Sequence, residues 1–282
     1  MVYVFCAFYG ECSGLIKHYN LKKRQTDKYY RFDVFENENQ PVRIILTGQG
    51  SVMAAAALSG AASFFGIKAE DAIINVGTCA GNYEPGQVFI CNKITEEATG
   101  RTFYPDMILR SGMPERELVT APVVIRKSIH EYANKDSHNM ALYDMEAAAI
   151  YQAANLYVGP HRMGFIKVVS DNGDIEGLTP DFIKKLMAEA VDEIASYVDM
   201  FVTDTHDMCR AEESTQFTNQ LCKDLHCSKV MENQVRQLIK YLSLEGTDYM
   251  TYIDKLYDEG RLPAHDKKNG KVCLDEIKRE LL

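Results

Sequence analysis

Over residues 1–202 the chain repeats one pattern: a short, continuously apolar run, a glycine-marked break, then a helix-forming stretch. The apolar runs cover residues 2–9, 72–76, 87–94, 118–125 and 164–169, and residues 29–35 and 42–47 flank a polar turn around Asn37, Asn39 and Pro41. A strand that alternates apolar and polar residues leaves one face wet. Runs that are apolar throughout need cover on both faces, which is the habit of largely parallel sheets flanked by helices. Helices are expected over 13–19, over 51–65 between Ser51 as N-cap and Gly66 as stop, over 144–157, and from Thr179-Pro180 to about residue 202. An α/β domain follows, and in such sheets ligands collect beyond the carboxyl ends of strands. Glu11, Gly48-Gln49-Gly50, Gly77-Thr78-Cys79-Ala80-Gly81 and Ser170-Asp171 all fall there.

The character changes near residue 204. Residues 210–282 are polar with apolar positions at helical spacing, such as Phe217, Leu221 and Leu225, then Val235, Ile239 and Leu242. Gly246, Gly260 and Asn269-Gly270 punctuate the segment. The division expected is a catalytic α/β domain over 1–205 and a small all-α C-terminal domain of about four helices over 206–282.

The net charge is -9, and no basic patch stands out, so a nucleic-acid partner is not expected. A neutral ligand bound by hydrogen bonds and stacking suits such a chain better than a polyanion. The eight cysteines are dispersed, without disulfide-like spacing. Cys222 and Cys227 lie near His206 and His226, but no CxxC pair exists, so neither a metal nor a cofactor is expected. The N-terminal run lacks a positive leader and reads as a buried strand. No apolar run reaches membrane-spanning length, and a cytoplasmic setting is expected.

Three acids can do chemistry. Asp171, at a strand end, can protonate a leaving group; it can equally cap the turn at Asn172-Gly173. Glu146, near a helix start and followed by three alanines, can accept hydrogen bonds from vicinal hydroxyls; it can equally be a first-turn acid that only meets the helix dipole. Glu11 can take a proton from water; it can equally be an exposed loop acid. The glycines Gly48, Gly50, Gly77 and Gly81 allow close backbone approach, and neither pair belongs to a phosphate-binding loop.

Taken in order, the blocks Ala7-Phe8-Tyr9-Gly10-Glu11, Gly48-Gln49-Gly50, Ile74-Asn75-Val76-Gly77-Thr78-Cys79-Ala80-Gly81, Asp144-Met145-Glu146-Ala147-Ala148 and Val169-Ser170-Asp171 resemble the nucleoside phosphorylase/nucleosidase superfamily. The methylthioadenosine/S-adenosylhomocysteine nucleosidases are the nearest in pattern, and the resemblance covers residues 1 to about 202. It implies a three-layer α/β/α fold with a mostly parallel mixed sheet, and hydrolysis of the N-glycosidic bond of a purine nucleoside. It implies that Glu11 activates water, that Glu146 holds the ribose hydroxyls with Met145 beneath the sugar, and that Asp171, supported by Ser170, protonates the base. Gly77 and Thr78 would lie near the nucleophile, and Val124 and Ile125 along the base. A homodimer is implied as well.

The rival chemistry is phosphorolysis. Phosphorylases of this superfamily carry an arginine where this chain has Asn75, and Glu11 would repel a phosphate dianion. Arg101, in the unassigned segment 99–106, is the one nearby cation that could rescue phosphate binding. A non-catalytic nucleoside sensor is the third reading, with the C-terminal segment as its output.

Overall fold

The computed structural model describes residues 1–25, 28–126, 141–174, 177–245 and 247–281, with backbone only at 204–215, 243 and 244. The expected punctuation at Gly246 falls outside these residues. The chain divides into two compact units, Met1–His206 and Asp207–Leu282.

The first unit holds ten strands among the described residues. They are β1 (Val2–Cys6), β2 (Lys22–Lys23), β3 (Val34–Glu36), β4 (Val42–Leu46), β5 (Ala72–Ala80), β6 (Val88–Glu96), β7 (Arg101–Phe103), β8 (Glu115–Thr120), β9 (Leu142–Asp144) and β10 (Met163–Asp171). Its helices are α1 (Tyr9–His18), α2 (Ser51–Phe65), α3 (Ala147–Ala154), α4 (Pro180–Glu189) and the start of α5 (Val191–Asp224). Strands β10, β5, β1 and β4 lie side by side and parallel. The sheet is mixed, because β6 runs antiparallel to β10 and β9 antiparallel to β5. The pairings β5–β10–β6–β8–β9–β5 close on themselves, so this part of the sheet curls.

Alternate residues of the parallel strands feed two apolar layers. Val4, Cys6, Ile74, Val76, Ile166 and Val168 meet α1, α4 and α5 through Leu15, Ile16, Met187, Ile194 and Phe201. Phe5, Ile45, Ile73, Phe165 and Val169 meet α2 and α3 through Ala57, Leu58, Ala61, Ala148 and Ile150. The alanine-rich sequence of α2 lets it lie close to α3.

Several boundaries differ from the sequence expectation, each for a local reason. The first helix begins at Tyr9, because Phe8 takes an extended N-cap conformation and Glu11 folds back to its amide. Residues 29–33 form no strand. Tyr30 instead stacks on Phe64 with ring centroids 5.6 Å apart and donates its hydroxyl proton to the Ala57 carbonyl, so the aromatic run braces α2. Strand β5 runs on through Gly77 and Thr78 to Ala80, held by pairing with β10, where a loop was expected. The helix expected over 144–157 starts at Ala147, whose amide is taken by the Asp144 carboxylate at the end of β9. The helix expected from Thr179 to 202 is two, with Ala190 as the C-cap of α4. Thr179 does cap it, accepting from the Phe182 amide at 3.1 Å. Val124 and Ile125 follow the end of β8 and are not part of it.

In the second unit, the last turns of α5 together with α6 (Lys229–Glu245), α7 (Tyr249–Asp258) and α8 (Lys267–Leu281) share an apolar core that includes Leu221, Leu225, Val235, Leu242, Ile253, Leu256 and Ile277. Asn269-Gly270, expected as a break, lies inside α8. Gly270 is needed there because a side chain at that position would collide with the Leu225 carbonyl. No helix among the described residues is long and apolar enough to cross a membrane.

Candidate active site

The carboxyl ends of β10, β5, β1 and β4 open onto a cavity of about 240 Å³. Glu11, Thr78, Val124, Ile125, Met145, Glu146, Ser170 and Asp171 all line it, so the three acids, separated by up to 160 positions (171 - 11), face one space. Ser170 and Asp171 also border a second recess of about 530 Å³ on the side of Tyr83 and Phe182. The smaller cavity is where the candidate groups converge.

Glu11 is buried in the first turn of α1. One of its oxygens accepts from the amides of Ala7 at 2.9 Å and Phe8 at 3.1 Å. The other accepts from the Thr78 amide at 2.7 Å and from the Thr78 hydroxyl at 2.8 Å. The exposed loop acid is therefore not what forms. Four donors occupy the roughly four lone-pair sites of a carboxylate. The three amides are fixed by the backbone, whereas the hydroxyl can rotate away and leave one site for water. Gly77 gives the carboxylate its room: a Cβ there would lie 3.1 Å from Oε1.

Glu146 is the N-cap residue of α3 and is buried. Its Oε1 accepts from the Gly50 amide at 2.7 Å, a direction that Gly50 reaches with φ of 94°. Burial and the neighbouring Asp144 carboxylate push its carboxyl up to about 7, against the pull of Lys167 and the Gly50 amide. Met145 presents its sulfur to the Gln49 amide at 3.2 Å, and its carbonyl accepts from the Ser51 hydroxyl at 2.9 Å. The loop after β4 is thereby tied to the segment that carries Glu146.

Asp171 ends β10. Its Oδ1 accepts from the Gly173 amide at 2.8 Å, so it does cap the turn. Its Oδ2 lies 2.7 Å from the Ser170 hydroxyl, which is also 3.2 Å from the Cys79 carbonyl. Burial raises the Asp171 carboxyl above the ordinary aspartate value, although Ser170 and the Gly173 amide oppose the rise. A protonated Oδ2 can donate to Ser170 while Ser170 donates to Cys79, so the pair can hold the proton that an acid needs.

Sequence reasoning missed Lys167. It sits in β10 four residues before Asp171, with Nζ 2.8 Å from Asp144 Oδ2 and the ammonium fully buried. Burial works against its charge, but the Asp144 and Glu146 carboxylates outweigh that and hold the ammonium above its ordinary value. A lysine inside an otherwise apolar strand was the signal that could have found it. Arg101 donates to the Gln152 side chain at 2.9 Å on the β6–β7 hairpin and does not border the cavity. The His206 side chain lies outside those described. Among the described residues no cluster is suited to hold a metal ion.

This sheet, with its curled edge and two helical layers, is a fold the chain shares with solved structures of two nucleosidases and a hydrolase. Among solved structures, the chain is similar to the 5′-methylthioadenosine/S-adenosylhomocysteine nucleosidase of Neisseria meningitidis in complex with methylthio-immucillin-A, at 22% identity and a TM-score of 0.56 over 70% of this chain and 97% of that one. It is similar to the Streptococcus pneumoniae nucleosidase bound to a transition-state inhibitor, at 20% identity and a TM-score of 0.55 over 70% and 97%. It is also similar to the futalosine hydrolase of Helicobacter pylori strain 26695, at 11% identity and a TM-score of 0.59 over 71% and 97%. No family model and no curated protein matches the chain.

Proposed function

We propose that the first unit hydrolyses the N-glycosidic bond of a purine nucleoside. The observation that carries this reading is the convergence of Glu11, Glu146 and Asp171 on one cavity at the carboxyl ends of β1, β5 and β10. Of the solved structures of similar fold named above, two are nucleosidases that hold nucleoside-like inhibitors and one is a futalosine hydrolase.

Asp171, protonated and backed by Ser170, gives its proton to the purine ring as the bond from the anomeric carbon to the base breaks with both electrons going to the base. The sugar becomes cationic at that carbon. Glu146 accepts hydrogen bonds from the ribose hydroxyls, with Met145 beneath the ring. The Thr78 hydroxyl swings off Glu11 Oε1, water takes its place, and Glu11 receives a proton as the water oxygen bonds to the anomeric carbon. Val124 and Ile125 give the base an apolar wall. Each proton transfer supplies roughly 10²–10⁴-fold.

Water suits this site better than phosphate. Among the described residues no lysine or arginine borders the cavity, and the one buried cation beside it is committed to Asp144. A phosphate dianion would meet Glu11 with no fixed positive partner among the described residues.

The second unit is, in this proposal, an independent all-α domain of about four helices, with the division at 205/206. Two copies of the chain associate, and a reducing, cytoplasmic setting fits the free cysteines among the described residues. The test is a chromatographic screen for free base over methylthioadenosine, adenosylhomocysteine, adenosine and inosine in phosphate-free buffer. Release of base supports hydrolysis, and release that depends wholly on phosphate overturns it.

A further inference from the structure

We infer that Gln49 selects nucleosides carrying a hydrogen-bonding group on the sugar's 5′ carbon, such as a free hydroxyl, over those with an alkylthio group there. The inference rests on the nucleosidase reading and narrows its substrate class.

The direction comes from the strand order. Along the carboxyl edge of the sheet, Asp171 ends β10, Thr78 lies near the end of β5, Glu11 follows β1, and Gln49 follows β4. Neighbouring strands are about 4.8 Å apart, so the row from Asp171 to Gln49 spans three spacings, roughly 14 Å. With the base at Asp171 and the anomeric carbon opposite Glu11 and Thr78, the remaining end of the sugar extends toward β4. Gln49 lines the cavity at that end.

The chemistry of its present contact makes Gln49 available. Its amide nitrogen donates to the Met145 sulfur at 3.2 Å, and a thioether is a weak acceptor that a hydroxyl readily replaces. Its backbone is held: the next residue, Gly50, donates to Glu146 and Ser51 donates to the Met145 carbonyl. A side-chain amide on a fixed loop carries both a donor and an acceptor, so it pairs with a hydroxyl in either sense. A methylthio group offers it only another weak acceptor. Gln49 is exposed in the ligand-free chain, so the discrimination expected is that of one hydrogen bond, on the order of tenfold.

The experiment compares kcat/KM for adenosine, 5′-deoxyadenosine and 5′-methylthioadenosine in the unaltered protein and in Gln49→Leu, with calorimetric binding of the same three compounds. The expected result is a preference of about tenfold for adenosine, lost or reversed in Gln49→Leu, with circular dichroism unchanged. Cleavage of all three with a preference that Gln49→Leu does not move overturns this inference and leaves hydrolysis standing. No cleavage, with binding preferences that follow Gln49, overturns hydrolysis and leaves the inference standing. No binding of any of the three overturns both.

Discussion

Lys167 Nζ lies 2.8 Å from Asp144 Oδ2, and neither side chain touches solvent. The same Asp144 carboxylate accepts from the Thr120 hydroxyl at 2.7 Å and from the Ala147 amide at 2.9 Å, so it fixes both the end of β8 and the start of α3. The pair therefore supports the short turn on which Met145 and Glu146 sit. Breaking a buried pair from one side leaves an uncompensated charge, at about 3–5 kcal/mol. Lys167→Met is expected to lower Tm by roughly 10 °C in thermal unfolding, and adding Asp144→Asn is expected to restore part of the loss. A single variant that melts like the unaltered protein would show that the pair contributes nothing.

The Glu146 carboxyl, pushed up to about 7 from an ordinary 4.5, binds its proton more tightly in the folded than in the unfolded chain. Its contribution to stability is complete below about 4.5 and is lost as pH rises through about 7. By linkage the difference across that window is up to about 3 kcal/mol. Urea unfolding of the ligand-free protein, followed from pH 5 to 8, is expected to show a fall in stability that is absent in Glu146→Gln. Parallel profiles for the two proteins would contradict this assignment.

Asp171→Asn keeps the shape and an acceptor for the Gly173 amide but has no proton to give. Binding of a nucleoside is expected to change little, while kcat falls by about 10²–10⁴-fold. Equilibrium binding set beside turnover separates the two effects, and turnover that survives intact removes Asp171 from the chemistry.

Glu146 is expected to distinguish ribose from deoxyribose. A 2′-deoxynucleoside lacks one of the hydroxyls that the carboxylate would accept from, and removing a hydrogen bond to a charged group costs about 1.5–3 kcal/mol. The unaltered protein is expected to cleave the deoxynucleoside at least about tenfold less efficiently, with the gap narrowed in Glu146→Ala. An equal gap in both proteins would place the sugar elsewhere.

Much of this arrangement was legible in the chain because it rests on local chemistry. Continuous apolar runs gave the strands of the doubly covered sheet, and the acids at their carboxyl ends pointed to one edge. Thr179-Pro180 marked a helix start that formed as read. The misses arose where tertiary contacts overruled local pattern. Tyr30 reads as strand but spends its ring on Phe64 and Phe65. Gly77 and Thr78 read as loop but are held in β5 by β10 across the register Lys167–Gly77 and Val168–Thr78. For Glu11 the chain alone left a buried base and an exposed loop acid both open, and only the fold brings Thr78 to it from 67 positions away. Lys167 was hidden because its partner, Asp144, ends β9, the strand before β10 in the chain but one that pairs with β5 and β8 and not with β10.

The central claim is that Glu11, Glu146 and Asp171 surround one sugar and deliver water to it. The most direct measurement is cleavage of a purine nucleoside in phosphate-free, ¹⁸O-enriched water, with mass analysis of both products. The account predicts free base together with a sugar carrying one ¹⁸O at its anomeric carbon. No base without added phosphate, and a sugar phosphate with it, would contradict the account.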